Sequence, residues 1–158
     1  MLIDEWMVRP VHAAKPLDSI RHAREVMSRH RVNQLPVVRG DKLVGIITDR
    51  DLRDAFPSVF EDADREMEAE RAERRGARVK APPDSDPSRV TVDLVMTHGP
   101  FTMSPADTVE DAAAAMRTRR IGAVPIVDHG RLVGILTRSD VLGAFVALAR
   151  GGAEAVGA

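Results

Sequence analysis

The stretch Gly45-Ile46-Ile47-Thr48-Asp49-Arg50-Asp51 occurs twice in this chain. Displaced by 89 residues stands Gly134-Ile135-Leu136-Thr137-Arg138-Ser139-Asp140, with glycine, threonine and aspartate in the same places. The offset holds without a gap between residues 4–56 and residues 93–145. Along it Met7 matches Met96, Pro16 matches Pro105, Asp18 matches Asp107, Met27 matches Met116, Pro36 matches Pro125 and Leu43 matches Leu132. Ile20/Val109, Val32/Ile121 and Val37/Ile126 are conservative pairs. Self-similarity at a fixed offset marks an internal duplication, and it settles the architecture before any single element is assigned.

Each copy reads strand, helix, strand, strand, helix. In the first, residues 11–14 form a short strand that ends at Lys15-Pro16. Asp18 then caps a helix with Ile20, Ala23, Val26 and Met27 on its inner face and Arg21, Arg24 and Arg29 mostly opposite. The run 32–38 is apolar and β-branched but contains Pro36, which lacks a ladder donor and so belongs at a sheet edge. Arg39-Gly40-Asp41-Lys42 turns the chain into a buried strand, 43–48, paired with the first as a hairpin. Residues 49–60 follow as a helix, with Leu52, Ala55, Phe56, Val59 and Phe60 at helical spacing and Pro57 as a kink or restart. In the second copy Asp107 and Glu110 resemble a capping box, and Val109, Ala112, Ala113 and Met116 face inward. Strands 124–127 and 132–137 flank a turn at His129-Gly130. The last helix buries Val141, Ala144, Phe145, Leu148 and Ala149 and stops at Arg150, before Gly151-Gly152.

The resulting organisation is repeat 1 over residues 1–60, an insert over 61–92, repeat 2 over 93–150 and a flexible tail over 151–158. Because residues 4–7 resemble 93–96, each repeat is expected to carry its own lead-in. The insert begins as a charged helix, with Glu61/Arg65 and Glu70/Arg74 spaced to pair, and continues as a linker through Pro82, Pro83 and Pro87.

Composition narrows the function. The chain is 44% hydrophobic and 30% charged with a net charge of −1, so it is globular and carries no broad basic field for nucleic acid or anionic lipid. Tyrosine is absent and aromatics are 3%, a poor platform for stacking single-stranded bases. There is no cysteine, which excludes disulfides, thiol catalysis and zinc–thiolate sites and favours a cytoplasmic setting. No secretory leader and no apolar run of membrane-spanning length is evident. The five histidines, His12, His22, His30, His98 and His129, lack metal-ligand spacing, and no metal site is expected. Asp49 with Asp51, and Asp107 with Asp111, are better read as helix-start charge than as catalytic pairs. With no Gly-x-Ser-x-Gly elbow and no P-loop, the chain does not read as an enzyme.

The repeated stretch instead suits a nucleotide. Gly45 permits close approach of another backbone or a ligand. Thr48 stands where a strand becomes a helix, and helix N-termini favour anions. Arg50 adds a planar cationic fork for phosphate, and Asp51 can accept two hydrogen bonds from a ribose diol. The second copy offers Thr137, Ser139 and Asp140. A simpler reading competes: Thr48 and Thr137 as plain N-caps, Asp51 and Asp140 as complements of the helix dipole.

The order of elements, Pro36-Val37-Val38 and Pro125-Ile126-Val127, and the repeated Gly-x-x-Thr-x-x-Asp resemble a tandem pair of cystathionine-β-synthase (CBS) domains, the Bateman module, over residues 4–60 and 93–149. Thr48-Asp49-Arg50-Asp51-Leu52-Arg53 with Ala55-Phe56-Pro57-Ser58 is further similar to stand-alone CBS-pair proteins of the acetoin-utilisation type. The resemblance implies an α/β (α+β) fold of two β-α-β-β-α repeats packed with pseudo-twofold symmetry. It also implies two clefts that take AMP, ADP, ATP or S-adenosylmethionine as regulatory ligands, with no obligatory cofactor. One cleft would use Thr48, Arg50 and Asp51 with Thr102, Met103, Ala123 and Val124. The other would use Thr137, Ser139 and Asp140 with Ala13, Ala14, Gln34 and Leu35. Ala13-Ala14 replaces the threonine common at that strand end while Thr102 keeps it, so the Thr48-Arg50-Asp51 cleft is expected to bind better. A homodimer is implied, with output to an effector protein in trans, and neither nucleic acid nor membrane as partner. The competing function is a homodimeric interaction scaffold with empty clefts.

Overall fold

The β-branched runs on either side of Gly40 and of His129-Gly130 pair as two antiparallel hairpins, each turning through residues at positive φ. A computed structural model describes residues 1–56 and 86–155. The chain divides into two compact units, His12–Gly99 and Met1–Val11 with Pro100–Ala158.

The unit containing repeat 1 has α1 (Ile20–His30), β1 (Gln34–Arg39), β2 (Lys42–Thr48), α2 (Asp49–Ala55), α3 (Val92–Val95) and β3 (Thr97–His98). Its sheet runs β1-β2-β3, all antiparallel, with Gln34 opposite Thr48 and Gly45 opposite His98. Pro36 therefore lies on an edge strand. The other unit opens with a 3-10 turn, Ile3–Glu5, followed by α4 (Val109–Arg119), β4 (Ala123–Asp128), β5 (Arg131–Thr137) and α5 (Arg138–Ala155). Here β4 pairs with β5 in the equivalent register, Ala123 opposite Thr137. Val8 bridges Ile135 where β3 stands in the first unit. Both hairpins shift register at the same step, Val37/Val38 and Ile126/Val127.

The two cores repeat one another. Ile20, Ala23, Met27, Leu35, Val37, Ile47 and Leu52 form the first, and Val109, Ala112, Met116, Val124, Ile126, Leu136 and Val141 form the second. Each also takes in a lead-in, but not its own. Val92 and Met96 complete the first core; Ile3 and Met7 complete the second. The backbone bonds are matched: the Val92 N–H donates to the Asp18 carbonyl (2.9 Å) and the Ile3 N–H to the Asp107 carbonyl (2.9 Å). The lead-ins are thus exchanged between repeats, contrary to the expectation from their sequence.

The repeated glycine serves this exchange. A Cβ built on Gly45 would collide with the Met96 sulfur and press on the Thr97 carbonyl at 3.0 Å; one built on Gly134 would collide with the Met7 sulfur. A methionine side chain of the lead-in approaches each glycine, and at Gly45 the Thr97 carbonyl supplies the close backbone approach anticipated there.

Other expectations are corrected. The strand over 11–14 shrinks to a bridge from Ala14 to Val37, held by Ala14 N–H to the Pro36 carbonyl and Val38 N–H to the Ala14 carbonyl (both 2.9 Å). Met103 bridges Ile126 likewise. The N-caps are Ser19 and Thr108, each one residue after the aspartate predicted. Asp18 and Asp107 close the preceding turns, accepting from the Lys15 N–H (2.8 Å) and the Ser104 N–H (2.7 Å). The last helix continues through Gly151 and Gly152 to Ala155. On it Val141 and Ala144 are buried, whereas Phe145, Leu148 and Ala149 are exposed. The predicted continuation of α2 with Val59 and Phe60, the charged helix from Glu61 and most of the proline-containing linker lie outside the described residues. No helix among the described residues is long and apolar enough to cross a membrane.

Candidate functional site

Each hairpin delivers its second strand directly into a helix, and the Thr-x-x-Asp motif lies at that junction. Thr48 is the N-cap of α2, with extended backbone (φ −115°, ψ 161°). The Asp51 N–H donates to Thr48 Oγ1 (3.1 Å), and Thr48 N–H and Oγ1–H both donate to Asp51 Oδ2 (2.8 and 2.9 Å). At the start of α5 the Thr137 N–H and hydroxyl donate to Asp140 Oδ2 at 2.7 and 2.6 Å, and the Asp140 N–H reaches Thr137 Oγ1 at 3.4 Å. Both are reciprocal capping boxes. The simpler reading of these residues therefore describes their geometry.

That geometry limits their chemistry. A threonine hydroxyl has one proton to give, and in both copies the aspartate takes it. To donate to a phosphate, either hydroxyl must rotate away from its carboxylate. The leading N–H groups are also partly engaged: Asp49 N–H donates to the Asn33 carbonyl (2.9 Å) and Arg138 N–H to the Gly122 carbonyl (3.1 Å). The carboxylates remain acceptors. All three Asp140 bonds lie on its N–H and Oδ2 edge, directing Oδ1 away from the cap.

In the first unit the hairpin register brings Gln34 beside Thr48, with Ala14 bridged to Val37, three residues further along β1. Thr48, Asp51, Gln34 and Ala13 are partly exposed and Arg50 is exposed. Ala14 and Leu35 are core residues. In the second unit Ala123 lies beside Thr137, and Met103 is tied to β4 at Ile126. Thr137, Asp140 and Met103 are partly exposed, Ser139 and Thr102 are exposed, and Ala123 and Val124 are buried. With their side chains in the cores, Leu35 and Val124 offer a ligand backbone only. Among the described residues no group of three or more His, Asp or Glu could hold a metal ion.

Sequence reasoning missed a pair of stacks at equivalent positions. The rings of His12 and His30 are stacked at 3.6 Å between centroids and 16° between planes. At the matching places in repeat 2, the Arg119 guanidinium sits 4.2 Å over the Phe101 ring. Their signal was present in the offset, which pairs His12 with Phe101 and His30 with Arg119, but neither pair is an identity.

The family model for the CBS domain matches residues 3–58 and again 90–147. The chain belongs to the CBS domain family. A CBS domain-containing protein of Dictyostelium discoideum is 33% identical over 144 residues, covering 90% of this chain and 89% of that protein. An inosine-5'-monophosphate dehydrogenase of Korarchaeum cryptofilum is 31% identical over 139 residues, and the chain spans only 23% of that enzyme's length. Among solved structures, CBSX2 in complex with AMP superposes with a TM-score of 0.69 at 26% identity, covering 93% of this chain and 97% of that one. The CBS domain pair of protein MJ0100 in complex with 5-methylthioadenosine and S-adenosyl-L-methionine gives a TM-score of 0.70 at 26% identity, with coverage of 93% and 97%. The tandem CBS repeats and the mixed helix–strand fold read from the duplication are thereby established.

Proposed function

We propose that this CBS pair is a regulatory module that binds an adenosine ligand and signals to an effector protein in trans, without catalysis of its own. The observation that carries this reading is the duplicated Thr-x-x-Asp junction, with Oδ1 of Asp140 directed away from its cap, in a fold whose neighbours were solved with AMP and with S-adenosyl-L-methionine. Asp51 and Asp140 are assigned to ribose. Thr48 with Arg50, and Thr137 with Ser139, are assigned to phosphate or its equivalent. Ala13, Ala14, Gln34 and Leu35, and Thr102, Met103, Ala123 and Val124, are assigned to adenine, with buried members acting through backbone. The Thr48-Arg50-Asp51 half-site is ranked first because a guanidinium stands where the second copy has a serine.

Titration calorimetry with AMP, ADP, ATP and S-adenosylmethionine tests this. Asp51→Asn and Asp140→Asn are the right variants, because an amide oxygen still accepts at the cap while the charge is lost. Binding that weakens about tenfold or more in Asp51→Asn, and less in Asp140→Asn, supports both assignment and ranking. Undiminished binding in both variants overturns the assignment. If no compound binds the folded protein, the second reading stands: the capping boxes account for Thr48, Asp51, Thr137 and Asp140 without a ligand, leaving an interaction scaffold.

A homodimer belongs to the same proposal. Leu142, Phe145, Val146 and Leu148 on α5 are 65%, 39%, 49% and 56% exposed. Leu142, Phe145 and Val146 follow helical spacing and form one apolar stripe, the kind of surface a symmetry-related copy would cover.

A further inference from the structure

We propose that the His12–His30 stack is a protonation-sensitive clasp on the segment Ala13-Ala14, standing where repeat 2 holds a permanent clasp, Phe101 with Arg119. The duplication provides the comparison. In both repeats the residue two before the bridging position (Ala14 or Met103) stacks on the last residue of the first helix (His30 or Arg119). In repeat 2 the pair is a fixed cation over an apolar ring, attractive at every pH at which the protein is folded. In repeat 1 both members are imidazoles. Protons on both rings set like charges face to face at 3.6 Å, which no pH does to the repeat 2 pair.

The surroundings oppose protonation. Both rings are exposed, yet desolvation first, then His12, then Arg29 lower the pKa of His30, and among the described residues no carboxylate acts on it. The sign follows. The unfolded imidazole binds protons more readily than His30 in the stack, so the clasp holds above the usual imidazole value. Its contribution is lost as pH falls through that value toward the lower one of the folded state. His12 leads through Ala13 into Ala14, whose backbone is fastened to β1. Loosening the stack frees the segment assigned above to adenine, so the regulatory half of this inference rests on the proposed adenosine site, while the clasp itself does not.

Thermal unfolding of the full chain at about pH 7.5 and about pH 5.5 is compared with that of a His12→Phe/His30→Arg variant, which transplants the repeat 2 pair. All other titrating groups are common to both proteins, so they cancel in the comparison. The midpoint of the natural chain is expected to drop by about 2–4 °C more than that of the variant. Equal drops overturn the clasp. AMP, used as the probe at both pH values, is expected to bind several-fold more weakly at the lower pH in the natural chain only. If AMP binds at neither pH while the difference in midpoints persists, the clasp stands and the adenosine reading falls. Should the variant fail to fold, proton NMR of the natural chain decides. His30 is expected to titrate below the usual imidazole value and to return toward it in His12→Ala; titration unchanged by His12→Ala overturns the proposal.

Discussion

Thr48 and Thr137 each hold a strand-to-helix junction with one hydroxyl, which donates to an aspartate and accepts from its N–H. Thr48→Val or Thr137→Val keeps the shape and removes both bonds. Each is expected to lower stability by about 0.5–2 kcal/mol, read as a shifted urea midpoint at unchanged slope. A variant within about 0.2 kcal/mol of the natural chain would mean that the cap contributes nothing. Arg31 and Arg120 end α1 and α4 in the left-handed region, with φ of 54° and 56°. Arg31→Gly or Arg120→Gly is expected to raise stability by about 0.5–1 kcal/mol, since glycine adopts that conformation without a Cβ penalty. A fall in the unfolding midpoint would show instead that the arginine side chains stabilise these helix ends.

At this scale the motif was legible, because threonine and aspartate three apart at a strand–helix boundary restrict the backbone. Its capped geometry was not, because the same residue types serve a cap and a ligand. Asp18 and Asp107 illustrate the limit. Aspartate, serine and threonine are all good N-caps, so composition alone cannot choose between neighbours. The choice fell to the turns beginning at Lys15 and Ser104, which use the aspartates first.

Between elements, the exchanged lead-ins are the main structural device. Met96 lies over Gly45 and Met7 over Gly134, each in the core formed by the other repeat's hairpin. Met96→Ala removes a buried side chain and is expected to cost about 2–5 kcal/mol. Gly45→Ala alone is expected to be destabilising because a methyl group meets the methionine sulfur and the Thr97 carbonyl. The double variant is expected to cost less than the sum of the singles by at least about 0.5 kcal/mol, as contacting residues do in a double-mutant cycle. Additive costs would disprove the contact. Ile3→Ala is expected to speed amide exchange in β4 and β5 ahead of β1 and β2, because Ile3 belongs to the second core.

Sequence could not have distinguished exchanged lead-ins from local ones. Residues 4–7 and 93–96 are alike, so the offset is the same whichever hairpin each packs on. The hairpins themselves were legible to within a residue or two, since β-branched runs around a glycine turn have few alternatives. The end of α5 was not: Gly151 and Gly152 resemble a stop, yet within a helix each costs only about 1 kcal/mol relative to alanine, and Ala153-Glu154-Ala155 favour continuation.

For the molecule as a whole, the proposal gives assembly to the apolar stripe on α5 and response to the Thr-x-x-Asp junctions. Leu142→Glu with Val146→Glu places two charges on the stripe, away from the buried Val141 and Ala144. Light scattering is expected to show a dimer become a monomer with helical content retained; an unchanged mass would move the interface elsewhere.

The proposed role stands or falls on an adenosine ligand at the duplicated junctions. Thermal unfolding of the intact chain with AMP, ADP, ATP and S-adenosylmethionine, beside Asp51→Asn and Asp140→Asn, addresses it most directly. A ligand bound only by the native state adds about 2.7 kcal/mol at roughly 100 times its dissociation constant. A midpoint raised by one of these compounds, with the rise diminished in at least one of the two variants, is the predicted result. A midpoint unmoved by all four in folded protein, or a rise that both variants retain in full, would contradict the account.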